Sequence, residues 1–168
     1  MRLESIAAAL AFVACAAHAQ LGAENPDWRE AEAPPPPALK LDGLIPLEVP
    51  GSTLRFGVAP GSVAVGSDGI VRYVVVASST TGTVNAIYEG IRCSSGEYKV
   101  YARHNPDSGW TPTKDAAWRS LHEPMSRHSL LIARTGACMG HGANGSAARI
   151  VQDLRSSIDS RFSNETRR

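Results

Sequence analysis

The chain lacks most of the signatures by which a sequence announces its chemistry. Its 17 basic and 16 acidic residues leave a formal charge of +1. It therefore has no dense positive face of the kind that releases counterions from a phosphate backbone, and nucleic acid is not an expected partner. No apolar run reaches the roughly 20 residues needed to span a bilayer, so no transmembrane segment is expected in the mature chain. There is no Gly-x-Ser-x-Gly elbow, no glycine-rich loop ending in Lys-Ser/Thr, and no dinucleotide fingerprint after a strand. The common hydrolase and nucleotide-binding classes are excluded on that ground, and no cofactor is expected. His122-Glu123 starts a zinc-protease pattern, but the second histidine's place is held by Ser126, and Pro124 interrupts the helix that would align the ligands. Cys138 and His141 lack the second cysteine needed for covalent haem attachment.

What is present begins with a signal for export. Arg2 precedes an apolar run from Ile6 to Ala17, and Ala17-His18-Ala19 offers a small-residue cleavage site before Gln20. Residues 1–19 read as a signal peptide, which places the protein in the periplasm or cell envelope. Val13-Ala14-Cys15 also resembles the tail of a bacterial lipoprotein signal, although Phe12 stands where leucine is usual. Lipidation at Cys15 would instead make an outer-membrane lipoprotein, and Glu4 weakens the positive start for either route. Removing the signal leaves Cys93 and Cys138 of the three cysteines, and an even number in an oxidising compartment predicts a disulfide. The competing reading makes Cys138 a reactive thiol or, with His141, half of a metal site.

Seven of the 11 prolines fall between Gln20 and Pro50, four of them in the run from Pro34 to Pro37. Proline locks φ and cannot donate a hydrogen bond, so residues 20–50 read as a linker whose core is an extended polyproline spacer. The alternatives are a docking peptide for an aromatic groove on another protein and, for Trp28, packing on the domain. At 168 residues with 43% hydrophobic composition, the remainder suffices for a single domain around one core, here residues 51–162, followed by a disordered tail at 163–168.

Beyond Pro50 the pattern is that of strands between turns. Ser62 to Gly66, Ile70 to Ser78, Thr83 to Cys93 and Glu97 to His104 are rich in Val, Ile and Tyr, and the short turns between them require antiparallel neighbours. The Ile70–Ser78 strand is apolar on both faces apart from Arg72, which predicts a central strand covered on both sides. In the next strand period two puts Val84, Ala86 and Tyr88 on one face and Asn85, Ile87, Glu89 and Ile91 on the other. Thr111-Pro112 looks like a cap and first turn of a helix running to Leu121. Ser126 would cap a second helix with Leu130 to Ile132, stopped by Gly136. Ala147, Ile150, Val151, Leu154, Ile158 and Phe162 recur at helical spacing. The predicted fold is α+β: an antiparallel meander of about four strands with two or three helices packed on it and one disulfide.

Val71-Arg72-Tyr73-Val74-Val75-Val76, Tyr88-Glu89-Gly90-Ile91-Arg92-Cys93, Tyr98-Lys99-Val100-Tyr101-Ala102 and Gly109-Trp110, with Trp118, Arg127-His128 and Cys138 beyond, resemble the CNP1-like family of exported bacterial proteins of unknown function. The resemblance covers about residues 53 to 140, leaving the proline-rich segment and the tail after Gly142 outside. It implies an envelope location and brings no catalytic residue or cofactor.

Two constellations could carry chemistry. Glu89, Arg92, His104 and Trp110 would form a ligand pocket if the meander gathered them at one end of the sheet, since Arg and aromatic groups recognise carboxylates and carbohydrates. His122, His128 and His141 would suit a transition metal near Cys138. The plainer reading of both is structural: cross-strand pairing for Glu89, core edge for Trp110 and surface positions for the histidines, so no metal site is expected. Asn144-Gly145-Ser146 and Asn164-Glu165-Thr166 match the glycosylation sequon, which has little meaning in a bacterial chain. The resulting expectation is a non-enzymatic binding or structural module attached to an unknown envelope component. The alternatives are a small periplasmic enzyme using Glu89 and His104 as acid and base, and a metal carrier using the three histidines.

Overall fold

The structure, a computed structural model, describes residues 26–156. The signal peptide, Cys15, Ile158, Phe162 and the 163–168 tail lie outside the described residues. The centre is a meander of three nine-residue strands, β4 (Ile70–Ser78), β5 (Val84–Arg92) and β6 (Glu97–Asn105). Their bounds follow the Val, Ile and Tyr runs of the sequence almost residue for residue. Gly82 (φ 90°) and Gly96 (φ 66°) supply the left-handed positions of the two turns.

The sheet is larger than the predicted four strands. β1 (Ile45–Leu47) and β2 (Arg55–Val58) precede β3 (Ala64–Val65), and β7 (Gly109–Pro112) and β8 (Arg119–Ser120) follow the meander. The order is β1-β2-β4-β5-β6-β7, with β3 on the remaining half of β4 and β8 on the start of β6, and every pairing is antiparallel. β9 (Cys138–Met139) and β10 (Gly142–Ala143) form a separate ribbon. Ten strands are thus present among the described residues. The short ones escape sequence reading because two to four residues carry no measurable alternation.

The helix expected from Thr111 to Leu121 does not form. Thr111 pairs with Arg103 and Pro112 with Ala102 in β7, an edge strand where a missing N–H breaks no ladder. Two helices cover one face, α1 (Arg127–Ile132), which continues as a π-helical turn (Ala133–Ala137), and α2 (Ala147–Ser156). Ser146 begins α2 by accepting the Arg149 N–H at its Oγ. Gly136, expected to stop α1, instead lies inside the π turn: a Cβ there would come within 2.7 Å of Leu154 Cγ, so its absence is what lets the turn lie against α2. Buried Asn144 ties the same two pieces together, donating to Gly136 O at 2.9 Å and Asp153 Oδ2 at 2.8 Å.

β4 is covered on both faces, as its composition requires. Val71, Tyr73 and Val75 point to the helices and join Ile91, Tyr98, Ile132, Ile150 and Leu154 in the larger core. Val74 and Val76 point the other way, with Ala86, Tyr88 and Ala102, and what covers them is the proline-rich segment through Leu39 and Leu44. Residues 26–50 therefore do not stand off as a spacer. Their polar and aromatic side chains find partners on the sheet, and this outweighs the extended preference of four consecutive prolines.

Candidate functional site

Glu89 is the most deeply buried acidic residue of those described, at 1% exposure. It lies on the helix-facing side of β5 between Ile87 and Ile91, where an unpaired charge would cost several kcal/mol or more. Three side chains meet it. Tyr73 from the adjacent strand donates its hydroxyl to Oε2 at 3.0 Å, and Ser129 from α1 donates to the same oxygen at 2.9 Å. His128 Nε2 lies 2.9 Å from Oε1, and its ring stacks on Phe56 at 5.2 Å between centroids. Burial, and then the neighbouring carboxylate, push the Tyr73 hydroxyl well above its ordinary range, which keeps it protonated as a donor.

A serine, a histidine and a carboxylate in contact invite comparison with a nucleophilic triad, but the connectivity is wrong. In a triad the imidazole sits between serine and carboxylate so that it can take the hydroxyl proton. Here the carboxylate is the hub, the serine's proton goes to Glu89, and Ser129 is fully buried. The arrangement clamps α1 to the middle of the sheet.

The opposite face carries the other half of the predicted constellation, in a different role. Arg92 Cζ stands 3.8 Å from the Trp28 ring centroid, and Trp28 meets Trp118 edge-on at 6.3 Å. Two residues on, Glu30 enters a pocket of three donors: Lys99 Nζ at 2.9 Å and Trp118 Nε1 at 3.1 Å on one oxygen, and the Tyr101 hydroxyl at 2.8 Å on the other. Tyr101 reaches this face because a bulge opposite Tyr88 and Glu89 gives β6 an extra residue there. Gly90 makes room for it, since a Cβ would meet Tyr101 Cε2 at 2.8 Å. Further along, Trp110 Nε1 donates to Pro37 O at 2.9 Å, and His104 packs edge-on against Trp110. The aromatic groove that a polyproline segment would seek on a partner is thus supplied by its own chain.

The fold does not gather Glu89, Arg92, His104 and Trp110. Period two sends Glu89 to the helix side, whereas Arg92 pairs with Trp28, and His104 with Trp110, on the other, so Glu89 and His104 cannot share a substrate. The histidines separate as well. His122 and His141 line one cleft of about 520 Å³ beside Cys138, while His128 is held by Glu89 in the interior. Among the described residues no three His, Cys, Asp or Glu stand close enough together to hold a metal ion. Cys138 is bonded to Cys93 and is not a free thiol.

Two carboxylates that fasten the proline-rich strap to the outer face titrate low, Glu30 on the strap and Asp68 in the turn beneath it. Burial raises the pKa of Glu30, but hydrogen bonds from Lys99, Tyr101 and Trp118 and the Lys99 charge outweigh it and hold the group below its ordinary 4.5. Asp68 likewise falls below 3.8: burial raises it, and Arg72 at 2.7 Å with the Ile70 and Ala31 amides pulls it down. A folded pKa below the unfolded one stabilises at pH above the unfolded value, and that contribution disappears as pH falls through the folded value. Acidification below 4.5 should therefore lower the melting temperature and expose Trp28, read as a red shift in fluorescence. Glu30→Gln should flatten that slope, and an unchanged pH profile in this variant would refute the assignment.

Residues 23–155 match the CNP1-like family. The chain belongs to it. The match starts ahead of Trp28 and extends through nearly all of α2, so the strap and the last helix are part of the CNP1-like unit, which is wider than the 53–140 region that the sequence motifs suggest. No match was found among curated proteins or among solved structures. No helix of the described residues is long and apolar enough to cross a membrane.

Sequence reasoning missed Tyr73, His128 and Ser129 as the partners of Glu89, and Glu30 as the anchor of the strap. The first had a signal: a carboxylate on the apolar face of a strand must be met by donors from whatever packs there. Glu30 had none, because its three donors come from positions 69 to 88 residues away.

Proposed function

We propose that this CNP1-like chain is an exported cell-envelope protein that works by binding and not by catalysis. The observation that carries the second half is the closure of the Glu89 cluster. The carboxylate, imidazole and hydroxyl that could do acid–base or nucleophilic work there are hydrogen-bonded to one another in the interior, and Ser129 is fully buried. The outer-face residues Arg92 and Trp110 are likewise engaged by the chain's own Trp28 and Pro37. What is left for a partner is the open surface and its clefts. The Cys93–Cys138 disulfide supports the first half, since such bonds persist in oxidising compartments and are rare in the cytosol.

Mass analysis of native material from a periplasmic extract tests export. A chain starting at Gln20 with Cys93 and Cys138 joined is expected. A chain that keeps Met1 and two free thiols would overturn it. A start at a lipid-bearing Cys15 would keep the envelope and move the protein to a membrane. Cross-linking in intact cells tests binding: an adduct with an envelope component is expected, and a chain recovered only unmodified argues against the proposal.

A further inference from the structure

A cleft of about 560 Å³ opens between the proline-rich segment and the turn that follows β2. One wall is Pro37 to Gly43, the other the Pro60–Ser62 turn, and Val74 of β4 lies at the floor. The volume is within the ordinary range for a small-molecule site. Leu39 and Pro60 supply apolar surface to a lining that is otherwise partly polar, above the buried Ala59 and Val74. A Cβ built on Gly43 or Gly61 would meet no atom within 4 Å, so both walls face open space at these positions.

The cleft is preformed. Its proline-rich wall is pinned at one end by the Trp110–Pro37 hydrogen bond of 2.9 Å, and at the other by β1, whose Ile45 pairs with Val58. A wall held at both ends does not have to be ordered by a ligand, which removes much of the entropic cost of binding.

The rim is charged, and its two cations are unpaired among the described residues. Lys40 and Arg155 border the cleft from separate elements, and neither forms an ion pair or a side-chain hydrogen bond with a described residue. Asp42 is the one acidic group on the rim, leaving a single net positive charge over a partly apolar lining. We infer that this cleft binds a small amphipathic monocarboxylate, its hydrocarbon body on Leu39, Ala59, Pro60 and Val74 and its carboxylate between Lys40 and Arg155. One net positive charge suits a monoanion better than a phosphomonoester dianion. This inference rests on the proposal that the chain is a binding protein and names the ligand chemistry of one site.

Octanoate is the probe, with octylammonium and octanol as controls of the same length, titrated into the oxidised chain by calorimetry and followed by amide NMR. Saturable one-to-one binding of octanoate is expected, with shifts confined to residues 39–43, 59–62 and 155, and no binding of octylammonium. The K40Q/R155Q double variant should bind octanoate about tenfold more weakly, the sum expected of two solvent-exposed ion pairs. Its melting temperature should change little, because neither side chain forms a hydrogen bond or ion pair with a described residue. The inference is overturned if octanoate fails to saturate, if octanol binds equally well, if the double variant matches the parent, or if the shifts map elsewhere. Any of these would leave the envelope-binding proposal to its own cross-linking test.

Discussion

Glu89→Ala is expected to destabilise the chain by about 3–5 kcal/mol, the range for removing one member of a buried charged cluster. The loss is large because truncation strands two hydroxyls and an imidazole in the interior, each of which then bears its full desolvation penalty. Tyr73→Phe and Ser129→Ala remove one donor apiece while Glu89 keeps two partners, so each should cost about 1–2 kcal/mol. Glu89→Gln should fall between, since the amide retains an acceptor oxygen but turns an N–H₂ towards groups that also donate. Urea titrations of the four variants give the order directly, read from midpoints at constant m-value. A Glu89→Ala loss under about 1 kcal/mol would mean that the cluster does not hold α1 on the sheet, and the carboxylate would have to be reconsidered as a working group.

Opening the Cys93–Cys138 bridge should cost a similar amount. It spans 45 positions, for which chain entropy gives about 4 kcal/mol. Cys93 follows the last residue of β5 and Cys138 opens β9 just after the π turn, so the bridge pins the far end of the same helical layer that Glu89 holds at its start. The C93S/C138S double variant is the appropriate comparison because it leaves no lone thiol. Its urea midpoint should drop to that of the reduced parent, and a midpoint equal to the oxidised parent's would remove the bridge from the stability argument. Since both devices fasten one layer to one strand, combining C93S/C138S with Glu89→Ala should give a loss that departs from the sum of the two.

The central meander is legible in the sequence because its information is local. Nine-residue strands of Val, Ile and Tyr between glycine turns define β4, β5 and β6, the alternation in β5 assigns Glu89 and Tyr88 to opposite faces, and the bridge joins the two cysteines left when Cys15 is set aside with the expected signal peptide. The helical spacing of Ala147, Ile150, Val151 and Leu154 likewise describes α2 correctly over its described length.

Where the sequence misled, the deciding interactions were distant. Thr111-Pro112 carries a good local helix signal, yet β6 offers an edge for it to pair with. Pro34 to Pro37 carry a good local spacer signal, yet Trp28, Glu30 and Pro37 each find a partner on the outer face of the sheet. The sequence by itself determined the three long strands of the meander, their alternation and, with Cys15 set aside, the pairing of sulfurs, all set by side-chain chemistry that composition and short-range pattern express. Only the tertiary structure decided what covers each face of the sheet, because that depends on which donors and rings meet across dozens of positions, and no local periodicity encodes such meetings.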